Sequence, residues 1–189
     1  MCDLVTSRGR KIQHDHVSGE GHVTGSSEPE KVCYTLPLYE HDPDTARSRV
    51  EGESYQFLMK WQQADSRFQM VENATPCYNC IGKVFGGKRM QICDIASVES
   101  ILEDDRYYSV GGPAQIRDIV VYRLEGAITH VGFVHEVDET GTVAVVQSKW
   151  GILADYLHGL YSVPSTYGQP EIMRTDLPTE QRTRSPEST

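Results

Sequence analysis

The chain has 189 residues, a length that fits one domain with tails better than two separate cores. Hydrophobic residues make up 38% and charged residues 24%, close to the composition of an average globular protein. The formal net charge of −9 argues against nucleic acid as a partner, because a general phosphate-binding surface must be basic. No segment reaches the roughly 18 apolar residues of a membrane span, so a membrane is not expected either.

The five cysteines lack the dense spacing of a secreted disulfide framework, so we expect reduced thiols. The first residues contain no apolar run after a basic start and hence no secretory signal. We therefore expect a cytoplasmic protein, with signal-free secretion as an open alternative. Cys77 and Cys80 could begin a zinc site, but the folded region offers no second pair of ligands at the usual spacing. No metal and no cofactor are expected, and the sequence does not indicate an oligomeric state.

Three regions differ in composition. Residues 1–31 contain few large apolar side chains and are predicted to be a flexible N-terminal segment. Residues 175–189 are mainly Thr, Pro, Glu, Arg and Ser and are predicted to be a disordered tail. The folded domain is then expected to span 32–174.

The first predicted helix lies near 54–68, where apolar residues recur at helical spacing, and its aromatic stripe is expected to face the core. Asp94 is a suitable N-cap for another helix, which is predicted to end near the acidic residues 103–105. The apolar residues that give these two patterns are Tyr55, Leu58, Trp61, Ala64, Ile95, Val98, Ile101 and Leu102.

Three β-rich runs follow the second of these helices, at 119–122, 128–137 and 142–148. The short turn-like gap at 138–141 predicts that the last two runs form a hairpin. Helices that precede an antiparallel meander indicate an α+β domain.

Cys80 stands at a predicted helix start, because Asn79 is a good N-cap and Gly86 and Gly87 end the short apolar pattern that follows. A thiol attacks an acyl carbon only as its thiolate, which a helix start or a nearby imidazole favours. Cys80 is therefore our candidate nucleophile. Its backbone N–H, at the start of the helix, is the natural donor to an oxyanion.

His130 begins a predicted strand in which it shares a face with Gly132. It is the candidate general base. An even number of residues in the following turn would place Gln147 opposite Gly132, where its amide could orient the imidazole. An odd number would bring Ser148 or Trp150 opposite His130 instead. We take Gln147 as the orienting residue and keep Ser148 as the alternative.

Three ordered segments resemble the blocks of NlpC-type papain-like amidases and peptidases. They are Asn79-Cys80 at a helix start, residues 117–122, and the strand that begins His130-Val131-Gly132. In that superfamily the cysteine is the nucleophile, the strand histidine is the base, and a polar residue on the next strand orients it. The resemblance implies a papain-like fold, with N-terminal helices on an antiparallel meander, and a catalytic set of Cys80, His130 and Gln147.

The chain also resembles an uncharacterised bacterial domain family over about 78–160. The shared blocks are Tyr78 to Ile81, Thr129-His130, and Ser148-Lys149-Trp150-Gly151 followed by His158. That family has no established activity, so the likeness supports the position of the site and not a substrate. We expect His158 to cap the end of a helix rather than to act as a second base.

The sequence predicts a thiol-dependent hydrolase or acyltransferase that acts on a peptide, isopeptide or other amide bond through a Cys80 thioester. A peptide or protein is the expected substrate. The first alternative is a papain-like binding or adaptor module without turnover. The second is thiol–disulfide exchange at Cys77 and Cys80, although no βαβ pattern surrounds them. The substrate-binding candidates are Tyr78, Asn79, Lys149 and Trp150.

Overall fold

The computed structural model describes residues 4–19, 22–27 and 43–183. This part of the chain contains three α-helices and a seven-stranded antiparallel sheet, which confirms the predicted α+β class. A separate two-stranded sheet lies near the N-terminus. Within the described ranges, no helix is both long and apolar enough to cross a lipid bilayer.

The helices are α1 (Pro43–Gln62), α2 (Cys80–Phe85) and α3 (Ile95–Asp104). Strands β1 (Asp15–Val17) and β2 (Val23–Ser26) pair with each other. The large sheet has the order β3-β8-β7-β6-β5-β9-β4. Its strands are β3 (Gln69–Glu72), β4 (Tyr108–Ser109), β5 (Ile119–Leu124), β6 (Ala127–Val137), β7 (Val143–Lys149), β8 (Asp155–His158) and β9 (Gln169–Arg174), and short 3₁₀ turns lie at Ser165–Tyr167 and Thr179–Gln181.

The sheet is covered on both faces, and side chains alternate between them along each strand. On one face, which we call the α2 face, Val131 and Phe133 of β6 pack with residues of α2 and α3. The opposite face, the α1 face, carries Tyr122 and Val134 in one apolar cluster and the residues packed beneath α1 in another. Between residues 130 and 134 of β6, odd positions therefore lie on the α2 face and even positions on the α1 face.

The two predicted helix starts are confirmed. Asn79 Oδ1 accepts the backbone N–H of Gly82 at 2.8 Å, and α2 begins at Cys80. Asp94 accepts the backbone N–H of Ser97 at 2.7 Å and caps α3. A Cβ at Gly82 would lie 1.8 Å from the carbonyl oxygen of Met90, so only glycine lets α2 approach that segment.

Helix α1 ends at Gln62, earlier than the predicted limit of 68. Asp65 turns the chain away from the helix, because its carboxylate accepts the backbone N–H groups of Arg67 and Gly159 at 3.0 and 2.9 Å. Phe68 is buried beyond this turn, outside the helix. Tyr55 is 57% exposed and lies off the core stripe, which consists of Phe57, Leu58 and Trp61.

The expectation that residues 1–31 are flexible is wrong for the described part of that segment. Leu4 and Ile12 are each 1% exposed and belong to the core of the α2 face. Between them, Arg10 binds the carboxylate of Asp104 at the end of α3. A few well-placed apolar side chains and several ion pairs with the end of α3 thus dock a segment whose average composition is polar.

The C-terminal segment also docks where it is described. Thr175 is 7% exposed, and its hydroxyl donates to the carbonyl of Asp105. The backbone N–H of Thr183 donates to the Asp105 carboxylate at 2.6 Å. The prediction of a disordered tail is therefore wrong for 175–183, and the rest of both terminal predictions lies outside the described residues.

Candidate active site

Cys80 is the first residue of α2, which packs on β6. The residue is only 9% exposed and belongs to the same apolar cluster as Val131. Burial raises the pKa of the thiol, and the nearby backbone N–H groups of Val131 and Ile81 only partly offset this effect. At neutral pH the resting side chain is therefore a thiol rather than a thiolate.

His130 lies in β6 opposite Tyr122 of β5, and its ring occupies the α1 face. The ring stacks on Tyr167 with a centroid distance of 4.3 Å and meets the edge of Trp150 at 6.1 Å. Burial lowers the pKa of His130 well below its ordinary value, and the charge of Lys83 and any protonation of His158 lower it further. Ring atom Nε2 is buried and has no hydrogen-bond partner within the described part of the chain. His130 is therefore a neutral imidazole with an unused nitrogen.

The thiol and the imidazole are neighbours along β6 but approach it from different sides. The backbone N–H that faces Cys80 belongs to Val131, the residue directly after His130. Among the described residues, no hydrogen bond joins Cys80 Sγ to the His130 ring. A direct proton transfer therefore requires the ring, or the short helix α2, to move so that a ring nitrogen reaches the sulfur.

The register between β6 and β7 corrects the role expected for Gln147. Phe133 pairs with Gln147 and Val134 with Val146, after irregularities on both sides of Glu136. Gln147 thus shares the α2 face with Phe133, and its Nε2 donates to Asp155 at 3.3 Å rather than to His130. The odd-turn alternative is the one that the structure contains.

The side chains on the His130 side of β7 and β8 form a buried polar network. His158 lies in β8 and not in a helix, which overturns the capping role expected for it. Its Nδ1 is 2.9 Å from the carbonyl of Gly159, so Nδ1 carries the proton and Nε2 accepts the hydroxyl of Ser148 at 2.7 Å. The indole N–H of Trp150 donates to the same Ser148 oxygen at 2.8 Å. The network therefore fixes the indole that borders His130.

The role of His158 in this network is not predicted by the sequence. Its place after the Ser-Lys-x-Gly segment is the one local feature that points to it. Burial lowers the pKa of its imidazole to about 4. The ring therefore stays neutral at physiological pH. It serves as a fixed acceptor for Ser148 and not as a proton carrier in the neutral range.

Charged groups are concentrated on the α2 face. Lys83 of α2 and Asp155 of β8 form an ion pair whose side chains are 3% and 0% exposed. Lys149 Nζ donates to the carbonyls of Gly151 and Leu153 and lies 5.4 Å from the centre of the Tyr78 ring. Burial lowers the pKa of Lys149 to about 7, although the charges of Asp155 and a Cys80 thiolate act in the opposite direction.

The four substrate-binding candidates are engaged in contacts inside the protein. Tyr78, Lys149 and Trp150 are all buried, and the Tyr78 hydroxyl donates to Glu72 at 2.8 Å. Asn79 caps α2 through its oxygen and donates through Nδ2 to the carbonyl of Ile92 at 2.7 Å. In this conformation these residues build the walls of the site and offer little exposed surface to a substrate.

Comparison of the chain with protein-family models, with curated protein sequences and with solved structures finds no match. The functional argument therefore depends on the arrangement around Cys80 and His130. The cysteines at 77, 80 and 93 are free thiols, and the described strand pairs are all antiparallel, so the described part contains no βαβ surroundings for a redox Cys-x-x-Cys.

Proposed function

We propose that the protein is a papain-like, thiol-dependent hydrolase or acyltransferase that acts on a peptide, isopeptide or other amide bond. The observation that carries the proposal is the position of Cys80, whose sulfur faces the backbone N–H of the residue next to His130. A helix-start cysteine and a strand histidine with an unpartnered buried nitrogen are the two groups that nucleophilic acyl transfer needs.

The reaction starts from the neutral pair. His130 takes the Sγ proton while the sulfur attacks the acyl carbon, and the resulting imidazolium gives that proton to the leaving amine as the C–N bond breaks. A thioester at Cys80 remains. Water or a second amine then attacks the thioester, His130 removes its proton, and the C–S bond breaks with return of a proton to the sulfur.

The aromatic surroundings of His130 suit a general base that stays uncharged until it acts. Tyr167 stacks on the ring and Trp150 covers its edge, so little water reaches the imidazole. Ser148 and His158 hold Trp150 in place. These four residues position the base, and none of them needs to exchange a proton with the substrate.

Formation of an acyl-enzyme with p-nitrophenyl acetate tests the proposal without knowledge of the natural substrate. The acetyl group passes to the sulfur and p-nitrophenol leaves with the proton. We expect a burst of p-nitrophenol and an acetyl group mapped to Cys80 by mass spectrometry. Cys80→Ala and His130→Gln should lose the burst, whereas the matched variant Cys77→Ala should keep it. Acetylation at equal rates on Cys77, Cys80 and Cys93 would contradict the proposal.

The rival function is a binding module that retains the fold without turnover. The burial of both side chains and the missing thiol–imidazole hydrogen bond favour it. Absence of any burst from folded protein would select this function. Equal loss in Cys77→Ala and Cys80→Ala, with a mass change that depends on reductant, would instead select thiol–disulfide exchange.

A further inference from the structure

A cavity of about 880 Å³ opens at the C-terminal end of α2, and neither Cys80 nor His130 lines it. Its volume falls within the range of roughly 300–1,000 Å³ that small-molecule sites occupy. We call it the α2 cavity. Its walls come from Glu72, from the end of α2 and the turn after it (83–89), from 133–135 of β6, from Gln147 and from 116–117, together with Asp105, Tyr107, Thr179, Glu180, Arg182 and Thr183.

The floor of the α2 cavity is aromatic. Phe85 and Phe133 belong to or pack against the core of the α2 face. Tyr107 meets Phe85 edge to face, with ring centroids 5.9 Å apart. Ile116 at the rim is 64% exposed and adds apolar surface beside the floor. A ligand in this cavity therefore meets flat apolar surface.

Cationic side chains surround this floor. Arg117 is exposed, and its guanidinium forms no hydrogen bond or ion pair with any residue in the described ranges. Arg182 enters from the C-terminal segment and uses its Nε on the carbonyl of Leu177 at 2.7 Å. Lys88 and Arg89 follow α2 and complete the basic rim. This concentration of positive charge contrasts with the net charge of −9 of the whole chain.

The described lining contains three acidic residues, and the carboxylates of two of them already have partners. Glu72 pairs with Lys88 and accepts the hydroxyl of Tyr78. Asp105 is 1% exposed, and its carboxylate accepts the backbone N–H groups of Ser7 and Thr183. The third, Glu180, is exposed. The charge that a ligand encounters is therefore mainly that of the arginines.

We propose that the α2 cavity binds a small anionic ligand with an aromatic or otherwise flat apolar body. The aromatic floor would take the body, and Arg117 with Arg182 would take the carboxylate, sulfonate or phosphate group, since a guanidinium presents paired donors to such anions. Gln147 supplies an amide at the wall. The proposal depends on this cavity alone and not on the chemistry of Cys80.

A pair of fluorescent probes that differ only in charge tests the proposal on the full chain. The anionic probe is 1-anilinonaphthalene-8-sulfonate, and the neutral one is N-phenyl-1-naphthylamine, which has the same aromatic body without the sulfonate. We expect the anionic probe to bind about tenfold more tightly, with an affinity that falls as salt is added. Equal affinity of the two probes, unaffected by salt, would overturn the proposal.

Arg117 offers a substitution that does not strain the backbone. Its φ of 76° lies in the left-handed region that glycine tolerates, so Arg117→Gly removes the guanidinium without conformational cost. The matched control is Arg106→Gly, because Arg106 is also exposed at a positive φ of 55° and does not line the α2 cavity.

We expect Arg117→Gly to weaken the anionic probe about five- to tenfold and to leave the neutral probe unchanged. Arg106→Gly should leave both probes unchanged. Arg117→Lys should restore part of the anionic affinity, because it returns the charge without the fork of donors. If Arg117→Gly binds the anionic probe as tightly as the unmodified chain does, or if Arg106→Gly weakens it equally, the α2 cavity is not the site.

Discussion

The two faces of β6 give neighbouring residues opposite electrostatic surroundings. On the α2 face, Cys80 lies near Lys149 and near the buried pair of Lys83 and Asp155. On the α1 face, His130 is enclosed by Tyr167 and Trp150, and its polar support consists of neutral hydrogen bonds. Val131, which borders Cys80, and His130 are adjacent in β6, yet the first lies on a face with charged groups and the second on a face with aromatic rings.

This difference explains why thiol and imidazole rest in their neutral forms. Burial disfavours the charged state of both groups, so the pKa of Cys80 rises and the pKa of His130 falls. Within the described residues, only the α2 face supplies a compensating cation, Lys149. The nucleophile can therefore be stabilised as an anion, whereas no residue in the described ranges stabilises the cation of the base.

The largest expected effect concerns catalysis across the two faces. Cys80→Ala and His130→Gln should each lower the turnover of p-nitrophenyl acetate by about 10⁴-fold or more, because the two groups act as one unit. The double variant should be no slower than the slower single variant. Steady-state rates with correction for the uncatalysed reaction check this. Effects that multiply in the double variant would mean that the two faces work independently.

The second effect is the pH dependence of stability on the α1 face. The unfolded chain protonates His158 below its ordinary pKa of 6.5, whereas the folded chain resists protonation down to about 4. The contribution of neutral His158 to the free energy of unfolding is therefore complete above about pH 6.5. It is lost as the pH falls toward 4, by about 3 kcal/mol in total.

Urea unfolding between pH 7.5 and about 4.5 measures this loss. His158→Gln should show a shallower decline than the unmodified chain, because glutamine does not titrate. His135→Gln is the control, since His135 is only partly buried and lies on the opposite face of β6. Parallel pH profiles for the unmodified chain and His158→Gln would contradict the assignment.

The sequence was sufficient where structure depends on neighbouring residues. Asn79 and Asp94 cap helices through contacts three residues away, and such contacts are visible in the local pattern. The β6–β7 hairpin follows from two apolar runs and a short polar turn. The position of Cys80 at a helix start was predictable for the same reason.

Contacts between distant segments were not predictable from local pattern. Arg10 reaches Asp104 and Leu4 enters the core, but neither interaction changes the local composition of the N-terminal segment. The parity of Gln147 depends on the length of the β6–β7 turn, and Val137 pairs with Val143 across five residues, one more than the four-residue gap that the sequence suggests. This odd turn length puts Gln147 on the α2 face and Ser148 on the side of His130.

The third effect is on stability. Because the ring is 2% exposed and stacked on Tyr167, His130→Ala should cost about 2 kcal/mol and lower the melting temperature by about 5 °C. His135→Ala on the other face of the same strand should cost less than about 1 kcal/mol. Equal melting temperatures for the two variants would mean that the aromatic enclosure contributes nothing to stability.

The smallest effect concerns the charge that only the α2 face provides. Lys149 lowers the pKa of Cys80, so Lys149→Met should slow the alkylation of Cys80 by iodoacetamide about fivefold near pH 7.5.

The unmodified chain should also differ from Lys149→Met in how the alkylation rate of Cys80 depends on pH. Above the Lys149 pKa of about 7, thiol plus amine and thiolate plus ammonium bind the same number of protons. The thiolate fraction should therefore level off above about pH 7 in the unmodified chain, whereas in Lys149→Met it should keep rising with pH. Lys88→Met is the control, because Lys88 pairs with Glu72 at the surface. A rising profile in the unmodified chain, identical to that of Lys149→Met, would show that Lys149 does not act on the thiol and would remove the electrostatic difference between the two faces of β6.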